Sequence, residues 1–211
     1  MNEDLRKRVL EKVRGIFGEG VAAEAEPALA AFIEDVRTIG GKTHLVGREN
    51  LESNIEAQIV DSAMMLEVFQ EAGGAGRRIA DIGSGAGFPG IIWKILNPEL
   101  EITLIERKSK MAAFLAREAA RLGLKDIYIY PGDASMAEFE PFEAVVSKAA
   151  GKLNEVLPVA EKLLERDGIY ITIKSPYWEK TEDQPDMQGM RLEESESPTT
   201  DRGKILVFRK L

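Results

Sequence analysis

The residues best suited to chemistry lie in one glycine-rich stretch, Ala80-Asp-Ile-Gly-Ser-Gly-Ala-Gly-Phe-Pro-Gly90. It follows an apolar run, Arg78–Ile82, that is typical of a buried strand, and it opens a run typical of a helix, Gly90–Leu96. Glycines at such a turn let a ligand approach the backbone, and the amides of the helix N-terminus favour a ligand group with negative charge. We therefore expect a ligand at the carboxyl edge of a parallel sheet.

Two acids extend this site. Glu106 follows the expected second strand, Glu101–Ile105, and Asp133 follows the expected third strand, Ile127–Tyr130. A carboxylate at the first position can accept hydrogen bonds from both ribose hydroxyls, and one at the second can accept from an adenine amino group. This pattern favours S-adenosylmethionine as the cofactor. The predicted cofactor-binding residues are Asp81, Gly83, Ser84, Gly85, Gly87, Phe88, Glu106, Asp133 and Ala134.

A dinucleotide is the alternative ligand for the same turn. Gly85, Gly87 and Gly90 also satisfy the pattern G-x-G-x-x-G, and Glu106 lies 19 residues after Gly87. By spacing alone, the turn could therefore belong to a dehydrogenase that binds a dinucleotide, or it could be a structural turn that binds no ligand.

Composition narrows the class of protein further. The chain of 211 residues has no cysteine and one histidine, His44, which excludes disulfides, thiolate nucleophiles and cysteine or histidine metal sites. Its start mixes both charge signs, and no apolar run has the length of a membrane span, so we expect a cytoplasmic protein.

The charge is unevenly distributed along the chain. The 28 lysines and arginines against 36 acids give a net charge of −8, which argues against a nucleic-acid partner. Many of the acids fall between Pro176 and Gly203, however, in an expected loop with an irregular strand near residues 190–192. Three basic clusters stand elsewhere, at Arg6-Lys7-Arg8, Arg77-Arg78 and Arg107-Lys108-Ser109-Lys110. These clusters are either solvated surface or part of a basic face.

The elements that position the site form an alternating pattern. Three helices are expected first, over residues 2–17, 24–39 and 54–72, the third with a capping box from Ser53 to Glu56. Beyond those already given, strands are expected at 144–147, 168–174 and 204–209, and helices at 108–122 and 153–165. This pattern predicts an α/β fold with a mostly parallel sheet. We expect residues 1–76 to be a helical N-terminal extension and 77–211 to be the cofactor-binding domain.

With these motifs the chain resembles the GidB family of small-subunit ribosomal RNA methyltransferases. The resemblance is carried by Asp81 to Gly90 with its Gly-Phe-Pro-Gly ending, and by Val60-Asp61-Ser62, Ile105-Glu106, Val146-Ser147-Lys148-Ala149, Ile173-Lys174 and Arg202-Gly203-Lys204. It implies a class I methyltransferase (Rossmann-like) sheet with an antiparallel last strand, and methylation of guanine N7 in small-subunit ribosomal RNA or a ribosomal particle. No metal, no membrane and a monomeric state are the further expectations. The chain departs from the family pattern at His44, Gln58 and Lys148.

Guanine N7 has a free lone pair, so its methylation needs alignment rather than a general base. Lys148 and Lys174, at the ends of the expected fourth and fifth strands, are the candidate catalytic residues because they could hold RNA phosphate or the guanine carbonyl oxygen. Trp93 is expected in the core or facing the sheet, while Trp178, beside Tyr177 in the late loop, could stack on an exposed base. Two alternatives stay open: a methyltransferase acting on a small molecule or protein, and a non-catalytic S-adenosylmethionine-binding protein.

Overall fold

The computed structural model describes residues 3–40, 50–74, 76–175, 177–181, 187, 189–193, 199–200 and 203–211. Six helices lie within these ranges: α1 Glu3–Gly40, α2 Leu51–Glu71, α3 Gly90–Leu96, α4 Ser109–Arg121, α5 Leu153–Leu163 and α6 Trp178–Thr181. The strands described there are β1 Arg78–Ile82, β2 Glu101–Ile105, β3 Ile127–Tyr130, β4 Phe142–Lys148, β5 Leu164–Lys174, β6 Met190–Glu193, β7 Thr199–Thr200 and β8 Gly203–Lys210. A 3-10 turn spans Ala134–Met136.

The strands form one sheet in the order β3-β2-β1-β4-β5-β8-β6, and β7 pairs with β8. Strands β1 to β5 are parallel, whereas β8 runs antiparallel to β5 and to β6. The order changes direction at β1, which pairs with both β2 and β4, so their carboxyl ends meet at one edge. The predicted α/β fold with its antiparallel last strand is confirmed.

The two faces of the sheet bury different helices. Ile79, Ile102 and Val146 pack into one cluster with apolar residues of α1, α2, α3 and α4. Ala80 and Val145, one position along their strands, belong to the second cluster with α5. This alternation follows from the two-residue period of a strand, which sends successive side chains to opposite faces. Helices α1 and α2 share one apolar core with the sheet, so no gap in packing separates them from it. The division of the chain between residues 76 and 77 into an N-terminal extension and a cofactor-binding domain stays a prediction.

The N-terminal helices differ from the expectation in two details. The first two expected helices form one helical stretch, α1, which bends at Gly18, where φ is 83° and ψ is 176°. Glycine adopts this conformation without a Cβ clash. Helix α2 begins at Leu51 with Asn50 as its N-cap, so the predicted capping box from Ser53 to Glu56 is wrong. Glu56 instead forms ion pairs with Arg8 at 2.7 Å and Lys12 at 3.0 Å.

The C-terminal part contains more structure than the sequence predicted. Strand β5 begins at Leu164 rather than at residue 168, and helix α6 lies in the expected loop. The irregular strand near residue 190 is confirmed as β6. In the described part of the chain, no helix combines the length and apolar character that a membrane span requires.

Candidate active site

The glycine turn connects β1 to α3 and is held by bonds within the chain. The amide of Gly83 donates to the Ile105 carbonyl oxygen at 2.8 Å, and the amide of Gly87 donates to the Ser84 carbonyl oxygen at 2.7 Å. Gly83, Gly85 and Gly87 have φ of 70°, 54° and 95°, a region that L side chains rarely adopt. The three glycines are therefore required by the backbone of the turn itself.

A cavity of about 580 Å³ opens at the carboxyl ends of β1, β2 and β4, a size typical of small-molecule sites. Most of the predicted site residues line it: Gly83, Ser84, Gly85, Phe88, Glu106, Asp133, Ala134 and Lys148. Asp81, Gly87 and Lys174 are not among its lining residues. Sequence reasoning did not assign the lining residues Gln58, Arg107, Lys108 and Glu155 to the site, although Gln58 was noted as a departure from the family pattern.

We call the surface formed by Gly83, Ser84, Gly85, Glu106, Asp133 and Ala134 the cofactor wall. Glu106 is 6% exposed, and its Oε2 accepts from the Gly85 amide at 3.0 Å while Oε1 accepts from the Lys108 amide at 2.8 Å. The carboxylate therefore braces the turn from the end of β2. Each oxygen retains lone-pair capacity for a ligand hydroxyl.

Asp133 is exposed and caps the 3-10 turn that follows β3. Its Oδ1 accepts from both the amide and the hydroxyl of Ser135, at 2.9 and 2.7 Å. These two hydrogen bonds lower the pKa of Asp133, helped by the positive charge of Arg107. Asp133 is thus held as a carboxylate at the mouth of the cavity.

Asp81 lies beneath the turn and is fully buried. Its Oδ2 accepts from the Gly90 amide at 3.0 Å, and within the described residues its buried Oδ1 has no hydrogen-bond partner. Burial raises the pKa of Asp81 to about 7, although the Gly90 amide, the Ser84 hydroxyl and the Lys148 charge oppose this rise. The first amide of α3 thus points at Asp81, where the sequence analysis expected the helix amides to point at a ligand.

Gly87 and Gly90 have packing roles beside this contact. A Cβ on Gly87 would lie 2.6 Å from Cδ1 of Ile91, and one on Gly90 would lie 2.3 Å from Cδ2 of Leu104. At Gly90 the close approach of α3 to β1 and β2 leaves no space for a side chain, whereas at Gly87 the side chain of Ile91, on α3 itself, fills that space.

We call Gln58 of α2 and Lys148 of β4, which also line the cavity, the helix wall. Lys148 at the end of β4 donates from Nζ to the Gln58 carbonyl oxygen at 3.0 Å and to Ser62 Oγ at 3.3 Å. Its Nζ also lies 4.8 Å from the ring centroid of Phe88, in cation–π range. Phe88 in turn packs edge-to-face on Phe32 of α1, with ring centroids 5.4 Å apart. Lys148 therefore joins the sheet, the turn and the N-terminal helices.

Lys174 and the two tryptophans have different surroundings. Lys174 Nζ donates to the Gly151 carbonyl oxygen at 2.6 Å, at the same sheet edge as Lys148 but outside the cavity lining. Trp93 is fully buried, as expected, and its Nε1 donates to the Ser62 carbonyl oxygen at 2.9 Å. Trp178 is 5% exposed and packs in the second core cluster, so the expected stacking of Trp178 on a base is wrong in this structure. His44 lies outside the described residues.

The cavity carries charges of both signs. Glu106, Asp133 and Glu155 supply carboxylates, while Arg107, Lys108 and Lys148 supply cations. Among the described residues, no group of three histidine, cysteine or acidic side chains is arranged to hold a metal ion. The carboxylates and cations of the lining can bind a ligand through hydrogen bonds and charge.

This combination of fold and site defines a class I methyltransferase. A crystal structure of a putative caffeoyl-CoA O-methyltransferase from Staphylococcus aureus shares the fold, with a TM-score of 0.57 at 12% identity over 85% of this chain and 92% of that one. A likeness at this identity supports the architecture alone.

The family follows from the sequence comparisons. The GidB family, described as rRNA small subunit methyltransferase G, matches residues 25–204, and the chain belongs to this family. A ribosomal RNA small subunit methyltransferase G from Rhodospirillum centenum is 34% identical over 188 residues, which cover 89% of this chain and 85% of that one. One from Mycoplasma capricolum is 36% identical over 137 residues, which cover 64% of this chain and 58% of that one. The resemblance predicted from the motifs is confirmed.

Proposed function

We propose that the chain transfers a methyl group from S-adenosylmethionine to N7 of a guanine in small-subunit ribosomal RNA. The observation that carries this proposal is one cavity lined both by the cofactor wall and by Lys148, in a chain that belongs to an rRNA methyltransferase family. The proposal places the protein in the cytoplasm, where it would meet ribosomal RNA.

The cofactor wall fits S-adenosylmethionine. Gly85 lines the cavity, and a Cβ on it would meet only the Gly83 carbonyl oxygen, at 3.8 Å, so the missing side chain leaves open space beside the turn. Glu106 would accept from the ribose hydroxyls, and Asp133, whose Oδ1 is taken by Ser135, would accept from the adenine amino group through Oδ2. Asp81 lies beneath the turn and outside the cavity lining, and the positive charge of a cofactor bound above it would favour the ionised form of this carboxyl.

Bound S-adenosylmethionine supplies an electrophilic methyl group on a cationic sulfur. The chain itself has only to align the guanine, because N7 carries a lone pair and no proton. Lys148 is placed for this work: it lines the cavity, and its ammonium can donate to the guanine carbonyl oxygen beside N7. Alignment of this kind contributes roughly 7–11 kcal/mol in well-oriented reactions. No general base is required, which agrees with a site that contains no histidine among its lining residues.

The proposal is tested by label transfer. The purified chain is incubated with methyl-labelled S-adenosylmethionine and small ribosomal subunits, or the RNA extracted from them, from cells that lack the protein. Heat-inactivated protein is the control. We expect label in the RNA fraction. Absence of label from both substrates, with cofactor binding measured separately, would contradict the proposal and direct the search to a small molecule or protein as methyl acceptor.

A further inference from the structure

The three basic clusters of the sequence differ in whether nearby acids neutralise their positive charge. In the first two clusters each cation has an acid within ion-pair distance. The pairs are Arg6 with Glu26, Lys7 with Glu3, Arg8 with Asp4 and Glu56, Arg77 with Glu99, and Arg78 with Glu101. These two clusters are therefore largely neutralised at the surface.

The third cluster consists of Arg107, Lys108 and Lys110, which we call the cationic rim. All three residues are exposed, and within the described residues none of the three side chains forms an ion pair. Arg107 and Lys108 line the cavity, and Lys110 lies on the first turn of α4, two residues further along the chain. This positive charge, which forms no ion pair within the described residues, thus lies at the mouth of the candidate active site, beside Asp133, whose pKa the charge of Arg107 helps to lower.

Local structure does not account for these charges. The first turn of α4 contains no acidic residue, although negative charge is favoured at a helix N-terminus and positive charge is disfavoured there. Three cations at this end of the helix therefore give the folded chain no benefit from the helix dipole. Exposed charge that local structure disfavours, placed beside a cavity, is typical of a binding surface.

We propose that the cationic rim contacts the phosphates that flank the target guanine in ribosomal RNA. This inference rests on the proposed function. The chain carries a net charge of −8, so RNA approaches an unfavourable overall field and needs a local positive surface. The rim offers such a surface at the mouth of the cavity, where Arg107 and Lys108 are lining residues. It would fix the register of the RNA, while residues within the cavity recognise the base.

Phosphate contacts have a measurable signature, because each one releases a counterion. Each contact contributes about 0.7–0.9 to the slope of log affinity against log salt concentration. A variant that lacks all three contacts should therefore reduce the magnitude of this slope by about 2 to 3. The size of the change distinguishes direct phosphate contacts from a general loss of stability.

The test compares the triple variant Arg107→Gln/Lys108→Gln/Lys110→Gln with the natural chain. Binding to deproteinised small-subunit RNA is measured between about 50 and 200 mM salt, a range over which each phosphate contact contributes about a threefold decrease in affinity. The KM for RNA and the Kd for S-adenosylmethionine are measured on the same preparations. Lys110→Gln alone is a second variant, because Lys110 lies outside the cavity lining and its loss leaves the cofactor wall intact.

Lys125 and Arg166 provide the matched control. Both are exposed cations without an ion pair in the described part of the chain, and they lie near the amino ends of β3 and β5, away from the cavity. The variant Lys125→Gln/Arg166→Gln removes positive charge without touching the rim. We expect it to keep the salt slope and the KM of the natural chain, while Lys110→Gln lowers the slope by about 0.7–0.9.

Three results would overturn the inference: an unchanged slope in the triple variant, an equal change per charge in the control, or a loss confined to the Kd for the cofactor. These results are separable from failure of the proposed function. If the natural chain methylates RNA while the rim variants bind RNA normally, the function stands and the rim inference fails. If the natural chain transfers no methyl group, direct RNA binding still decides the inference.

Discussion

The two walls of the cavity originate in different ranges of the sequence. The glycines of the cofactor wall belong to one continuous turn, and Glu106 braces that turn through the Gly85 amide at 3.0 Å. In the helix wall, Lys148 of β4 reaches the Gln58 carbonyl oxygen on α2, a residue 90 positions earlier in the chain. The turn of the cofactor wall is thus formed by residues close in sequence, whereas the helix wall forms only when the N-terminal helices pack on the sheet. Substitutions in the cofactor wall should therefore weaken cofactor binding, and those in the helix wall should slow methyl transfer.

The largest expected effect is on the pH dependence of stability, through Asp81 beneath the cofactor wall. Its pKa rises from 3.8 to about 7 on folding, so the folded chain keeps this proton to a higher pH than the unfolded chain does. The stabilisation is fully present below the unfolded pKa and is lost as the pH rises through about 7. In Asp81→Asn, the free energy of unfolding relative to the natural chain should rise by about 2 to 3 kcal/mol between about pH 5 and 8.

Denaturant unfolding of both proteins at each pH measures this difference. Without cofactor, the variant should be the more stable protein at the higher pH, and its affinity for S-adenosylmethionine should fall. Parallel curves of unfolding free energy against pH for the two proteins would contradict the raised pKa of Asp81.

Glu106→Ala is the next largest change and should break the cofactor wall selectively. The substitution removes acceptors for the amides of Gly85 and Lys108 as well as the expected ribose contacts. Hydrogen bonds to a charged group contribute about 1.5–3 kcal/mol, so the Kd for S-adenosylmethionine should increase about 10- to 100-fold. Calorimetric titration measures this Kd.

Glu101→Ala is the control for Glu106→Ala. Glu101 begins β2, the strand that Glu106 follows, and its Oε1 lies 3.9 Å from Nε of Arg78 in a partly exposed ion pair outside the cavity lining. It should change the Kd for the cofactor less than about twofold, since exposed pairs contribute about 0–1 kcal/mol. Equal losses in the two variants would mean that the strand and not the cavity carboxylate is responsible.

Lys148→Ala tests the helix wall and should affect methyl transfer more than cofactor binding. It removes the bonds to the Gln58 carbonyl oxygen and Ser62 Oγ and the contact with the Phe88 ring. We expect kcat to fall about tenfold, in proportion to one lost charged hydrogen bond, with little change in the Kd for S-adenosylmethionine. Steady-state kinetics at saturating cofactor make this measurement. Loss of cofactor affinity alone would contradict this assignment and would show that both walls serve cofactor binding.

The smallest effect is expected at Lys174. Its ammonium donates to the Gly151 carbonyl oxygen and lies outside the cavity lining, so Lys174→Ala should lower kcat/KM for RNA less than about fivefold. A larger decrease, in a variant with natural thermal stability, would show that the site extends beyond the cavity to the end of β5.

The cofactor wall was predictable because its signals are local. Three glycines with positive φ, an acid after each of two strands and the strand-to-helix turn all occur within residues 78–134. The bond between Asp81 and the Gly90 amide was missed, because a carboxylate in a strand gives no sign of which amide it will meet. The only local hint is Gly90 itself, where a Cβ would lie 2.7 Å from Oδ2 of Asp81.

The helix wall could not be predicted in the same way. Nothing in the sequence near Lys148 indicates that its ammonium will meet a carbonyl oxygen of α2, since that contact depends on tertiary packing. The start of α2 and the burial of Trp178 were misjudged for the same reason. Long-range contacts override short capping and loop signals when they bury apolar surface, as Trp178 does in the second cluster.

The most direct test of the central claim is the identity of the methylated nucleoside. Ribosomal RNA that the chain has methylated is digested to nucleosides and separated against standards by mass spectrometry. The account predicts that the transferred methyl group appears in N7-methylguanosine, with a yield that falls in Lys148→Ala. Label in any other nucleoside, or transfer that is insensitive to Lys148, would contradict it.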